Sequence, residues 1–259
     1  MNFSFDWSLM GAPLLSGLLV VSTHVLMGRR VLERGIIFID ITIAQVAALG
    51  VIVAGIFGVS DENGGWLTQI AATGAALLAA LLLTWTERKL SDLQEAMIGS
   101  LYVLSASVSL LVLANNPHGA EHMQQLLAGQ ILWVGWKQLV PVALLYAAVL
   151  AVWFFWAQRR PWAFYLLFAV TVTASVQLVG VYLVFATLIL PALATFRISG
   201  ARGLCLGYAI GALGYGLGLW LSVPLDLPTG PLVVCVLAAL SLLGGVALAL
   251  TGNAGRSAG

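Results

Sequence analysis

The chain has 259 residues, of which 61% are hydrophobic and only 8% charged, against about 25% charged in an ordinary soluble domain. A water-soluble core cannot hide that much apolar surface, so the composition excludes a soluble enzyme or binding domain and reads as an integral membrane protein. The formal net charge of +1 excludes a basic nucleic-acid binder, and what matters is where the charges sit.

Apolar runs predict membrane-spanning helices near 9–28, 36–58, 67–86, 97–114, 139–157, 162–178, 180–196, 203–222 and 231–251. The expected fold is therefore an all-α polytopic helical bundle of about eight or nine transmembrane helices, a single domain over 1–251 with a disordered cytoplasmic tail over 252–259. The stretch 162–196 is short for two spans. It reads either as two short helices or as one long helix followed by a broken one, with Gly180 and Pro191 as the punctuation.

No lysine or arginine precedes the first apolar run, whereas Arg29 and Arg30 follow it, an order opposite to that of a cleaved signal peptide. The first run is thus expected to be retained as a span with its N-terminal end outside. One set of loops then holds Arg29, Arg30, Arg34, Arg88, Lys89, Arg159, Arg160, Arg197, Arg202 and Arg256, ten of the eleven basic residues. The other side receives Asp6, Asp61, Glu62, Glu121 and Asp226 with Lys137 alone. This is the asymmetry of the positive-inside rule, and it places the C-terminus in the cytoplasm. Cys205 and Cys235 both fall in apolar runs and read as packing residues rather than a disulfide framework.

Catalytic motifs are missing. The two lysines, Lys89 and Lys137, follow Arg88 and Trp136, so neither belongs to a Walker phosphate loop, and neither HExxH nor GxSxG occurs. The chain reads as a transporter or channel rather than an enzyme, with any ATP use assigned to another chain. A stand-alone secondary transporter or cation channel, using Asp40 and His24 as a relay, is the alternative.

Asp40 is the main ionisable residue within a span, and a carboxylate at the bilayer centre costs about 2.5–3.5 kcal/mol on insertion scales. Gln45 lies five residues on, about 140° round the helix. Together they would present oxygens to a cation path. In the other reading Asp40 snorkels toward the surface, since Arg34 is only about 9 Å of helix away. His24, in the first span, is either a ligand to the same path or a hydrogen-bonded packing residue. The loop NNPHGAEHMQQ offers His118, Glu121 and His122 as an external metal-capture set, with Pro117 and Gly119 arguing for a loop that preorganises little. The Gly207-xxx-Gly211 and Gly214-xxx-Gly218 spacings predict close helix packing.

Several segments stand in a familiar order: RRVLERGIIFIDITIAQVAALGV, EAMIGSLYVLSASVSLLVL, QQLLAGQIL, VGVYLVFATLILPALATFRIS and LSVPLDLPTGPLVV. In this order the chain resembles the permease subunits of the bacterial metal-type ABC importers, which take up zinc, manganese or iron. The resemblance implies a homodimeric permease in the inner membrane, a pair of cytoplasmic P-loop ATPases and an extracytoplasmic metal-binding protein. It implies no cofactor held by this chain, only a transported divalent metal, zinc before manganese. It also implies ATPase contact at the turn after PALATFRIS, with Pro191, Arg197, Gly200 and Arg202; an ordinary positive-inside loop is the competing reading. The family commonly reads G-D-A-x-S-H-A-x-x-P-G in its second span. Ended on Gly50, that pattern puts Asp40 at the family's glycine, Ile41 at its aspartate, Gln45 at its histidine and Leu49 at its proline. The two expected ligands are thus replaced, and a one-residue shift of helix register would return Asp40 to the path.

Overall fold

A computed structural model describes residues 7–57, 66–89, 94–113, 131–156 and 160–254. Among them are nine α-helices and a short 3-10 turn at Ile131–Trp133: α1 Trp7–Arg34, α2 Ile39–Ile56, α3 Trp66–Lys89, α4 Gln94–Leu113, α5 Trp136–Phe155, α6 Pro161–Val179, α7 Val181–Ala194, α8 Gly200–Leu225 and α9 Thr229–Ala254. Eight are long and apolar enough to cross a membrane, and α7 is a shorter apolar helix. The polytopic helical expectation is met. Phe57, Trp133 and Phe155 are 80% or more exposed, a surface suited to lipid rather than water.

The end of the first span differs from the sequence reading. The first helix runs on through Arg34, so Arg29, Arg30 and Arg34 lie on its last turns rather than in a loop. At about 42 Å it exceeds the roughly 30 Å hydrocarbon thickness. The run 162–196 is broken once, at Gly180, whose φ of +82° belongs to the left-handed region that glycine enters without cost. Pro191 sits within α7 and does not end it. The cysteines also depart from expectation: Cys205 on α8 and Cys235 on α9 are both exposed rather than packed inside.

The chain divides into two compact units. One comprises the chain through Arg34, residues 130–139, and the chain from Tyr182 onward. Here α8 packs against both α1 and α9, and small residues set the distance. A Cβ on Gly211 would stand 2.9 Å from Val21 Cγ1, and one on Gly218 would stand 2.7 Å from Val233 Cα. Both glycine spacings therefore lie in helix seams. Gly17 faces the ring of Tyr215. That buried tyrosine shares a 2.9 Å hydrogen bond with the Thr187 hydroxyl.

The other unit comprises residues 35–129 and 140–181. In it α2 packs on α3, α4 and α6. Ile39, Ile43, Ile98, Phe164, Tyr165 and Phe168 are buried. Gly50 brings α2 close to α3, since a Cβ there would be 2.8 Å from the Ala71 carbonyl oxygen. Serines and threonines in the helices return their hydroxyls to carbonyls one turn back, as Thr84 does to Ala80 at 2.7 Å and Ser109 to Ser105 at 2.8 Å, so a buried hydroxyl costs little in a nonpolar setting.

Candidate functional site

In the second unit the start of α2 is held from α4. The N-cap residue Phe38 has no side-chain cap. Four residues on, the Thr42 hydroxyl lies 3.0 Å from the Phe38 carbonyl and 3.1 Å from that of Ile98. These contacts fix the turn that carries Asp40.

Asp40 is 1% exposed, which rules out snorkelling of this side chain to the surface. It sits in the first turn of α2, where the helix dipole favours a negative charge. Its Oδ1 is nonetheless buried with no hydrogen-bond partner among the described residues. A carboxylate oxygen in that condition is costly, and a cation or a donor from outside the described residues would relieve it.

Gln45 is also buried, and its amide reaches the Ser109 hydroxyl at a long 3.4 Å. Ser109 escaped the sequence reading because its hydroxyl could as well have served only its own helix. A second polar group was missed too. Gln94 accepts from the Thr86 hydroxyl at 2.8 Å, donates to the Leu83 carbonyl at 3.0 Å and lies 3.5 Å from the Tyr165 hydroxyl. Adjacent Gln94 and Glu95 at the head of an apolar run were the available signal. Among the described residues no group of three or more His, Cys, Asp or Glu could hold a metal.

His24 belongs to the first unit. Its Nδ1 lies 3.0 Å from both the Thr23 hydroxyl and the Val20 carbonyl, while Nε2 is buried without a partner among the described residues. His118, Glu121 and His122 lie outside the described residues. Of the four residues assigned to the basic turn, Pro191 is buried inside α7, and Arg197, Gly200 and Arg202 are exposed at and just beyond the turn.

The described residues thus form a polytopic α-helical membrane protein with a buried carboxylate on one span, whose Oδ1 has no partner among them, and a basic turn between two others. The sequence profile of the ABC 3 transport family matches residues 6–161 and 157–248. The chain belongs to that family, and the resemblance to metal-type ABC permeases is borne out. No curated protein matches the chain. Among solved structures, it is similar to PsaBC from Streptococcus pneumoniae in complex with Fab, with a TM-score of 0.71, 21% identity and coverage of 92% of this chain and 91% of that one. It is also similar to a metal-chelate type ABC transporter in an inward-facing conformation, with a TM-score of 0.64, 17% identity and coverage of 96% and 90%. At these identities the likeness is one of fold.

Proposed function

We propose that this chain is the membrane-spanning subunit of an ATP-driven importer for a divalent transition metal, zinc foremost and manganese next, in the bacterial inner membrane. The observation that carries the reading is the family match over nearly the whole chain, joined to a buried Asp40 whose Oδ1 has no partner among the described residues.

In this reading an extracytoplasmic binding protein delivers the ion to a path between two permease copies. Asp40 supplies charge, and the Gln45 side-chain carbonyl supplies a neutral oxygen. Two cytoplasmic P-loop ATPases engage the turn with Arg197, Gly200 and Arg202, and their closure drives alternating access. Zinc and manganese both accept such oxygen donors, and the lack of an imidazole at position 45 weakens the preference for zinc.

The deciding measurement is purification of the tagged chain from its native membrane in mild detergent, with every stoichiometric partner identified by mass spectrometry. A P-loop ATPase at equal stoichiometry is expected. A folded chain that comes down alone overturns the reading in favour of gradient-driven transport. In membranes, Asp40→Ala is expected to lower zinc and manganese uptake by about tenfold or more while the complex still assembles. Wild-type uptake by that variant removes Asp40 from the path.

A further inference from the structure

The turn between α7 and α8 is tied to α1 by one side chain. Arg29 Nη2 donates to the carbonyl of Ile198 at 2.8 Å, across 169 residues of sequence. A charged donor on a backbone carbonyl, partly shielded from water, makes one of the stronger single hydrogen bonds available. The guanidinium is closely packed, and its Nη1 is buried with no hydrogen-bond partner among the described residues. A Cβ on Gly203 would stand 2.3 Å from Arg29 Nη1 and 2.1 Å from the Ile198 oxygen, so the first turn of α8 leaves open the space that this bond fills.

The turn is bonded back to the end of α7 and presents that carbonyl to α1. The Thr195 N–H and hydroxyl both reach the Pro191 carbonyl, at 3.3 and 2.9 Å, and the Ile198 N–H donates to Thr195 at 3.0 Å. Close packing continues on either side of Arg29. A Cβ on Gly28 would fall 1.9 Å from the Leu188 carbonyl oxygen of α7, and one on Gly207 of α8 would fall 2.8 Å from Val25 Cγ1. The end of α1 is thus pressed between the helices that flank the turn. Such a packed seam moves as a body rather than by bending.

An arginine in the last turns of a helix has a simpler use, as a charge opposing the helix dipole and marking the cytoplasmic side. Arg30 meets that description: it is exposed and pairs with Glu33 at 3.1 Å on the helix surface. Arg29 does not, because its guanidinium turns inward to a distant carbonyl.

We propose that Arg29 is a positioning residue for transport: through the Ile198 carbonyl it holds residues 195–199 in the shape an ATPase grips, and it passes displacement of that turn to α1. The proposal rests on the transporter reading above. Two measurements on the full complex test it. The first is amide hydrogen exchange of residues 195–199, and the second is zinc or manganese moved per ATP hydrolysed in proteoliposomes.

In Arg29→Ala, exchange at 195–199 rises by about tenfold while that of α9 stays unchanged. The metal moved per ATP falls by about fivefold or more, and Arg29→Lys, which keeps one charged donor, restores most of both. If Arg29→Ala does not accumulate in the membrane, Arg29→Gln, with an uncharged donor, carries the same comparison. Wild-type exchange in the variant overturns the tie. Increased exchange with an unchanged coupling ratio overturns the positioning role. A wild-type preparation that contains no ATPase overturns the transporter reading instead, and does so in a separate measurement.

Discussion

Asp40 and Gln45 stand on the same helix, and they differ in how their polar atoms are satisfied. Gln45 has a neutral partner in Ser109 at 3.4 Å, whereas Asp40 Oδ1 has none among the described residues. A charged oxygen without a donor attracts a cation, and a neutral carbonyl only adds to the coordination once the cation is there. Imidazole binds zinc better than a carboxamide does. Gln45→His is therefore expected to raise zinc uptake relative to manganese, measured by competition between the two ions, and an unchanged ratio would remove position 45 from the path. Thr42→Val deletes the hydroxyl shared between Phe38 and Ile98. It should lower thermal stability in detergent by about 0.6–1.7 kcal/mol, and uptake with it if Asp40 shifts. The identity of Asp40 as the residue to watch was legible, because a carboxylate inside an apolar run is conspicuous. Its burial was not, since about 9 Å of helix back to Arg34 left snorkelling open. Packing of α2 against α3, α4 and α6 decides the matter, and no local pattern announces it.

Glycine makes the helix pairs of the first unit possible, and its effect is position-specific. Gly218 lies against the backbone of Val233, whereas a Cβ on Gly216, two residues away on the same helix, would meet nothing within 4 Å. Gly218→Val should cost about 1–3 kcal/mol of stability through overpacking, and Gly216→Val should leave the melting temperature in detergent nearly unchanged. Equal effects from the two would mean that helix propensity, not the seam, dominates. The spacing of these glycines was readable, as were the long spans, because hydropathy over about 20 residues is a strong signal. Helix α7 was harder to read. Its 14 residues cover only about 21 Å, less than the hydrocarbon thickness, and it is mostly buried, with Leu183, Val184 and Leu188 at 0% exposure. A helix sheathed in protein need not match the bilayer. The end of α1 was missed for another reason: three arginines read as a loop, yet a basic last turn is favourable on a helix.

By the positive-inside rule the basic residues mark the cytoplasmic side, an expectation that counts α7 as a crossing. With that crossing, Arg34, Lys89, Arg160 and Arg202 share one side, and Asp226 lies on the other. A phosphatase reporter active only outside the cytoplasm should be active when fused after Asp226 and inactive after Lys89. The reverse result would invert the topology. The family and the general architecture were legible because ordered segments survive across the chain, while the metal was not, because both expected ligand positions carry other residues.

The Arg29 tie also sets an order of events in biosynthesis. Helix α1 emerges first, but the carbonyl its arginine seeks follows 169 residues later, roughly ten to thirty seconds of translation at about 5–20 residues per second. Through that interval the notches at Gly17 and Gly28, which face Tyr215 and the Leu188 carbonyl in the finished fold, have only lipid or the insertion machinery beside them for most of the time, whereas α2, α3, α4 and α6 can meet as they are made. A chain released before α8 would therefore present an unfilled first helix, a feature by which membrane quality control can tell an unfinished copy from a finished one.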